Sequence, residues 1–166
     1  YPWGVSKRQS LPSFYNLHKL RGGAVCKAEI VRGIGKALGM EVLAPKNATG
    51  DVDTDLFAKA EATLELLQQY DFVVAHFNGT DEAAHRYDAL EKVAFIERID
   101  KEFLGTVLSA VQEPLKIVIC GDHVTSSVTG KHDRGVVPVL AWSSEYATKK
   151  LENYQDIIKF LMKECD

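Results

Sequence analysis

The feature that most restricts the fold is a pair of short apolar runs, each stopped by a turn residue and followed by an Asp and a His. Residues 71–77 read DFVVAHF, break at Asn78-Gly79 and continue to Asp81 and His85. Residues 116–120 read KIVIC, break at Gly121 and continue into Asp122-His123. Unbroken apolar runs of this length are expected of strands covered on both faces, as in a parallel sheet. The stretches around them have a different period. Ile30, Ile34, Ala37 and Leu38 fall at helical spacing and end on Gly39, and Leu56, Ala60, Leu64 and Leu67 line one face of a helix over 55–69 that Thr54-Asp55 can cap. A long helix is expected over about 82–110 and a closing amphipathic one over 151–164, with further strands at MEVLA (40–44) and VVPVLAW (136–142). Residues 1–22 read as a polar, turn-rich lead-in, and 121–137 as a long polar loop. Strands alternating with helices predict an α/β fold, three-layer αβα with a mainly parallel sheet, and 166 residues suit a single domain over 1–166.

Composition narrows the partners. A net charge of −3 without any Lys/Arg run gives no electrostatic footprint for nucleic acid or an anionic membrane. The apolar runs are far shorter than the roughly 20 residues that span a bilayer. The three cysteines, Cys26, Cys120 and Cys165, are scattered and lack CxxC spacing, which fits a reducing compartment and a cytoplasmic location. The sequons at Asn47 and Asn78 are read as chance. The chain opens on Tyr1 rather than Met and is expected to be part of a longer protein.

In parallel α/β sheets, ligands bind beyond the carboxyl ends of the strands. Asp81 and His85 follow one such end, and Asp122 and His123 follow another. His132 lies in the same loop as the second pair, flanked by Gly130 and Gly135. An Asp and a His four residues apart share one helical face, so both reach one ion. Carboxylates and neutral imidazoles suit a divalent metal of the Zn or Mn type. Five such groups are too many for one catalytic ion that keeps an open position and suit two ions roughly 3.5–4 Å apart. Two dications against two carboxylates leave a net positive pocket, which favours a phosphoryl group. His76, inside the 71–77 run, is read as a hydrogen-bonded core histidine, and Lys92 as a solvated helix residue.

The stretches HFNGTDEAAHRYDALEKVAFIERID (76–100), GDHVTSSVTGKHDRGVVPVL (121–140) and NATGDVDTD (47–55) resemble the archaeal-type cofactor-independent phosphoglycerate mutases of the alkaline phosphatase superfamily. The resemblance implies an alkaline-phosphatase-like fold and two metal ions, manganese or zinc. Asp81, His85 and His132 match positions that hold one ion, and Asp122 and His123 match ligands of the other. It further implies a small phosphorylated substrate, interconversion of 3-phosphoglycerate and 2-phosphoglycerate, and a phosphoserine intermediate. The family's nucleophilic Ser and an early Asp have no match among these residues, so the chain is expected to be the C-terminal part of the catalytic domain and inactive alone. Val124-Thr125-Ser126 stands where the family commonly has Ser-Thr-Pro, and Lys131 and Asp133 flank the last His. Related phosphatases, phosphopentomutases and phosphonate hydrolases share such ligands. A degenerate metal-binding module is the non-enzymatic alternative.

Overall fold

A computed structural model describes residues 10–144 and 151–162. Its centre is a three-stranded parallel sheet of β1 (Gly22–Val25), β2 (Glu41–Leu43) and β3 (Phe72–Ala75), in the order β2-β1-β3. The helix α2 (Glu29–Ala37) carries the chain from β1 to β2, and α3 (Leu56–Leu67) carries it back past β1 to β3. Right-handed crossovers running in opposite directions put their helices on opposite faces of a sheet. The contacts agree. A Cβ on Gly23 would meet Leu66 of α3, whereas a Cβ on Gly35 of α2 would meet Ala24 and Val42. The expected αβα layering is therefore present here.

The central strand β1 is buried throughout, but β3 is only half-buried and Val74 faces outward. The apolar run DFVVAHF predicted cover on both faces; among the described residues β3 ends the sheet and is covered only in part. The same holds for β4 (Lys116–Cys120), where Ile119 is exposed. Among the described residues β4 pairs with β7 (Val139–Ser143), antiparallel, in a separate two-stranded sheet. The two Asp/His pairs thus do not extend from one continuous sheet edge, as the sequence had suggested.

Asp55 caps α3 as expected, its carboxylate accepting from the Ala58 amide at 2.9 Å. Leu56 and Ala60 of that helix join Phe95, Phe103 and Val107 in the main core, while Ala62 and Leu66 pack on Val25. The stripe on α2 behaves otherwise: Ile30 and Ile34 are exposed and the helix turns its glycine face to the sheet. Gly39, at φ +68, ends it as predicted.

Three further segments depart from the sequence reading. Within the supposed lead-in, Ser13 caps a short helix, α1 (Phe14–His18), whose Phe14 stacks on Phe72. The helix expected over about 82–110 is broken into α4 (Gly79–His85), α5 (Ala89–Arg98), a π-helical stretch Ile99–Leu104 and α6 (Gly105–Ala110). The break falls at Tyr87, which takes φ 62, and Asp88 then caps α5 by accepting from the Glu91 amide. Inside the supposed polar loop, β5 (Val124–Ser126) and β6 (Lys131–Asp133) form an antiparallel hairpin. The closing helix, α7, spans Tyr154–Met162; residues 163–164 of its predicted range lie outside the described residues, as do 1–9 of the lead-in.

Candidate metal centre

Helix α4 starts directly after β3 and is braced by the 47–55 segment. Asn78 occupies the cap position, so Asp81 sits inside the first turn rather than capping it. The Asn78 amide donates to the Gly50 carbonyl, Arg86 forks onto both carboxylate oxygens of Asp51 at 2.8 Å, and Arg98 donates to the Val52 carbonyl at 2.8 Å. Gly79 has no room for a side chain: a Cβ would stand 2.6 Å from Phe95, 2.8 Å from the Val52 nitrogen and 2.9 Å from the Asp51 carbonyl carbon. The stretch NATGDVDTD, which carried part of the resemblance, therefore serves here as the bed on which α4 lies.

From that helix Asp81 and His85 face the β5–β6 hairpin. Ligand atoms of Asp81, His85 and His132 lie within 4.8 Å of one another. His85 Nε2 is 3.4 Å from Asp81 Oδ2, and His132 Nε2 is 3.6 Å from Asp81 Oδ1. The His132 ring lies between those of His85 and His123, with centroids 5.1 Å and 4.1 Å away. Three of the five predicted ligands thus form one ligand group, and the His123 ring lies beside it. The fifth, Asp122, is largely exposed at the rim, with Oδ1 3.7 Å from His123 Nε2. Tyr154 of α7 holds that turn, its hydroxyl reaching the carbonyls of Gly121 and Asp122 at 2.8 and 3.0 Å.

The hydrogen bonding of His85 tests whether this donor set fits a cation. Its Nδ1 is 2.8 Å from the Gly130 carbonyl, which only accepts, so Nδ1 carries the hydrogen. In the neutral ring, Nε2 is then a bare lone pair facing a carboxylate oxygen. Two acceptors at that separation require a positive charge between them, a proton or a metal ion. Orienting a metal-binding imidazole by a backbone carbonyl on its far nitrogen is a common arrangement. His85 and His132 both stand against the Asp81 carboxylate, and one divalent ion among the three would answer both rings.

Several participants were not legible beforehand. Thr125 of β5 is buried, and its hydroxyl touches both Asp81 Oδ1 and His123 Nδ1. Lys92, read as solvated, instead donates to the Thr125 carbonyl at 2.9 Å and ties α5 to the hairpin. His76 lies just past β3 rather than within it, and burial pushes its pKa down, helped by the charge on Lys59 and opposed by Asp122. Lys59 of α3 is 1% exposed, donates to the His76 carbonyl at 2.8 Å and sits 4.8 Å from the centroid of Phe77. Burial lowers its amine to about 8. A charged residue so thoroughly enclosed gives little sequence signal, because Lys59 falls between Ala58 and Ala60 on a helix that also carries exposed charges at Glu61 and Glu65. Among the described residues no helix is long and apolar enough to cross a membrane.

A 2,3-bisphosphoglycerate-independent phosphoglycerate mutase of Methanopyrus kandleri is 38% identical over 94% of this chain and 37% of its own length. One from Saccharolobus islandicus is 41% identical over 84% of the chain and 34% of its own length. The chain therefore spans about a third of the length of these relatives. Among solved structures, a protein of Pyrococcus horikoshii superposes with a TM-score of 0.77 at 35% identity, covering 83% of this chain and 42% of that one. The cofactor-independent phosphoglycerate mutase of Thermoplasma acidophilum superposes with a TM-score of 0.64 at 19% identity, over 92% of this chain and 40% of that one, and supports the fold alone. The resemblance read from the three motif stretches is borne out by these similarities, as is the α/β class. The profile of the metalloenzyme superfamily matches residues 2–160, and the chain belongs to that superfamily.

Proposed function

We propose that this chain supplies the greater part of a two-metal phosphoryl-transfer site in a cofactor-independent phosphoglycerate mutase, which interconverts 3-phosphoglycerate and 2-phosphoglycerate in the cytoplasm. The observation that carries the proposal is the bare Nε2 of His85 opposed to Asp81, with His132 completing the group. On this reading Asp81, His85 and His132 hold one manganese or zinc ion, and Asp122 and His123 contribute to a second. Such ions, when bound, activate an oxygen nucleophile and neutralise charge on a phosphoryl group.

The chain's own residues have definable tasks in this scheme. Gly130 and Asp81 orient His85. Asp81, already engaged by Thr125, keeps its second oxygen turned to His85. The exposed rim at Asp122 and His123 leaves the second position open toward solvent, where a phosphorylated substrate and a further ligand would enter. The nucleophilic serine, which passes through a phosphoserine, lies outside these residues on this reading, and the chain alone is inactive.

The test is an assay of the longer parent protein with manganese on 3-phosphoglycerate and on a generic phosphomonoester. Formation of 2-phosphoglycerate is the expected result. Release of inorganic phosphate without 2-phosphoglycerate would replace the mutase by a hydrolase of the same superfamily.

A further inference from the structure

Thr125 stands on a three-residue strand of a small hairpin, yet it is 5% exposed and is the point where the two ligand groups touch. Its hydroxyl lies against Asp81 Oδ1 on one side and is 3.1 Å from His123 Nδ1 on the other. Across the hairpin it is in register with His132. A threonine has one hydroxyl hydrogen, and an ionised carboxylate can only accept. The Thr125 hydrogen is therefore committed to Asp81, which leaves only lone pairs for His123. It follows that His123 Nδ1 is the donor and that its Nε2 is bare, directed to the side where Asp122 Oδ1 lies 3.7 Å away. His85 is put in the same state by a different acceptor, the Gly130 carbonyl.

We propose that Thr125 is a positioning residue that joins the two metal half-sites, holding the Asp81 carboxylate of one and fixing the ring and tautomer of His123 in the other. The inference rests on the two-metal reading above and assigns a residue that touches neither ion. Lys92 supports it by anchoring the Thr125 carbonyl to α5, so the hydroxyl is presented at a fixed height above α4. Because one hydroxyl serves both groups, its loss weakens both sites together rather than one of them.

The experiment compares the full chain with Thr125→Val and Thr125→Ser by calorimetric titration with Zn²⁺ and Mn²⁺. Valine keeps the branched shape that a strand favours, so it removes the hydrogen bonds with little change of packing. Loss of a residue that orients metal ligands typically costs about 10–100-fold in affinity, and this loss is expected at both ions in Thr125→Val. Thr125→Ser, which retains the hydroxyl, restores binding. A second readout needs no variant: nitrogen NMR of the metal-free wild-type imidazoles is expected to show the His123 hydrogen on Nδ1. A hydrogen on Nε2, or equal affinities in wild type and Thr125→Val, overturns the role of Thr125 alone. Failure of the wild type to take up either ion overturns the two-metal reading and this role with it.

Discussion

Lys59 offers a quantitative test of how the buried core of this chain responds to pH. Its ammonium is enclosed beneath the end of β3, with the His76 carbonyl as its hydrogen-bond acceptor and the Phe77 ring against it. Burial lowers the amine from its ordinary 10.5 to about 8, a pull the Cys26 thiolate would partly oppose. Below about pH 8 the amine is protonated in both folded and unfolded chains, and above 10.5 it is neutral in both. Between those values the unfolded chain binds the extra proton, so stability rises with pH across that window. The interval from about 8 to 10.5, at about 1.36 kcal/mol per pH unit, corresponds to a ceiling of about 3 kcal/mol. An experiment between about pH 7.5 and 10 spans only part of that interval, so the expected gain is about 2 kcal/mol. Cys26 acts in the opposite sense: burial raises its thiol, and its contribution is lost as pH rises. Comparison with Lys59→Met separates the two, since the variant keeps the side-chain volume and the Cys26 thiol but loses the amine that titrates. Urea unfolding of both proteins, followed by circular dichroism at about pH 7.5 and 10, provides the measurement. The wild type is expected to gain on the variant by about 2 kcal/mol over that range. Parallel stability profiles would refute the reasoning and show that Lys59 is effectively solvated.

Gly79→Ala places a methyl against Phe95 and two backbone atoms of the 51–52 segment, neither of which can swing aside. Overpacking of this kind costs about 1–3 kcal/mol, and thermal melting should place this variant at the upper end. Asp81→Ala removes the carboxylate shared by His85 and His132. Added Mn²⁺ or Zn²⁺ at about a hundred times its dissociation constant stabilises a binding protein by about 2.7 kcal/mol. The wild type should show that shift in melting temperature and Asp81→Ala should not; equal shifts in both would remove Asp81 from the ligand set.

How far the sequence foretold this site depends on which elements are compared. Strands β3 and β4 and the helix α3 follow from apolar runs and one aspartate cap, because burial and capping are local signals. The grouping of Asp81 with His85 was equally legible, being a property of one helical turn. The break after α4 was missed because hydrophobic spacing continues through it, although Asp88 with Glu91 three residues later is a helix-start signal in its own right. The β5–β6 hairpin was missed for a different reason. Its strands are three residues each and mostly polar, so period-two alternation has no length over which to appear. What makes them strands is pairing to each other and docking on α4 and α5, which is tertiary information. For the same reason Lys92 and Thr125 could not be distinguished from surface residues by pattern alone.

The docking of that hairpin also bears on how the site opens and closes. A two-stranded hairpin is marginal in water by itself, and among the described residues this one is tied to the rest of the protein by a few side-chain bonds. They are Thr125 to Asp81, Lys92 to Thr125, and His85 to Gly130, whose backbone also lies against the Tyr87 ring. Breaking these few bonds separates His132 and His123 from Asp81 while both sheets stay folded. Local opening of the hairpin is therefore expected at a lower free energy than global unfolding. Amides of the hairpin should exchange with solvent hydrogen sooner than those of β1, and an ion bridging hairpin and helix should slow that exchange. Capture and release of the ion would then be paced by the hairpin lifting from α4.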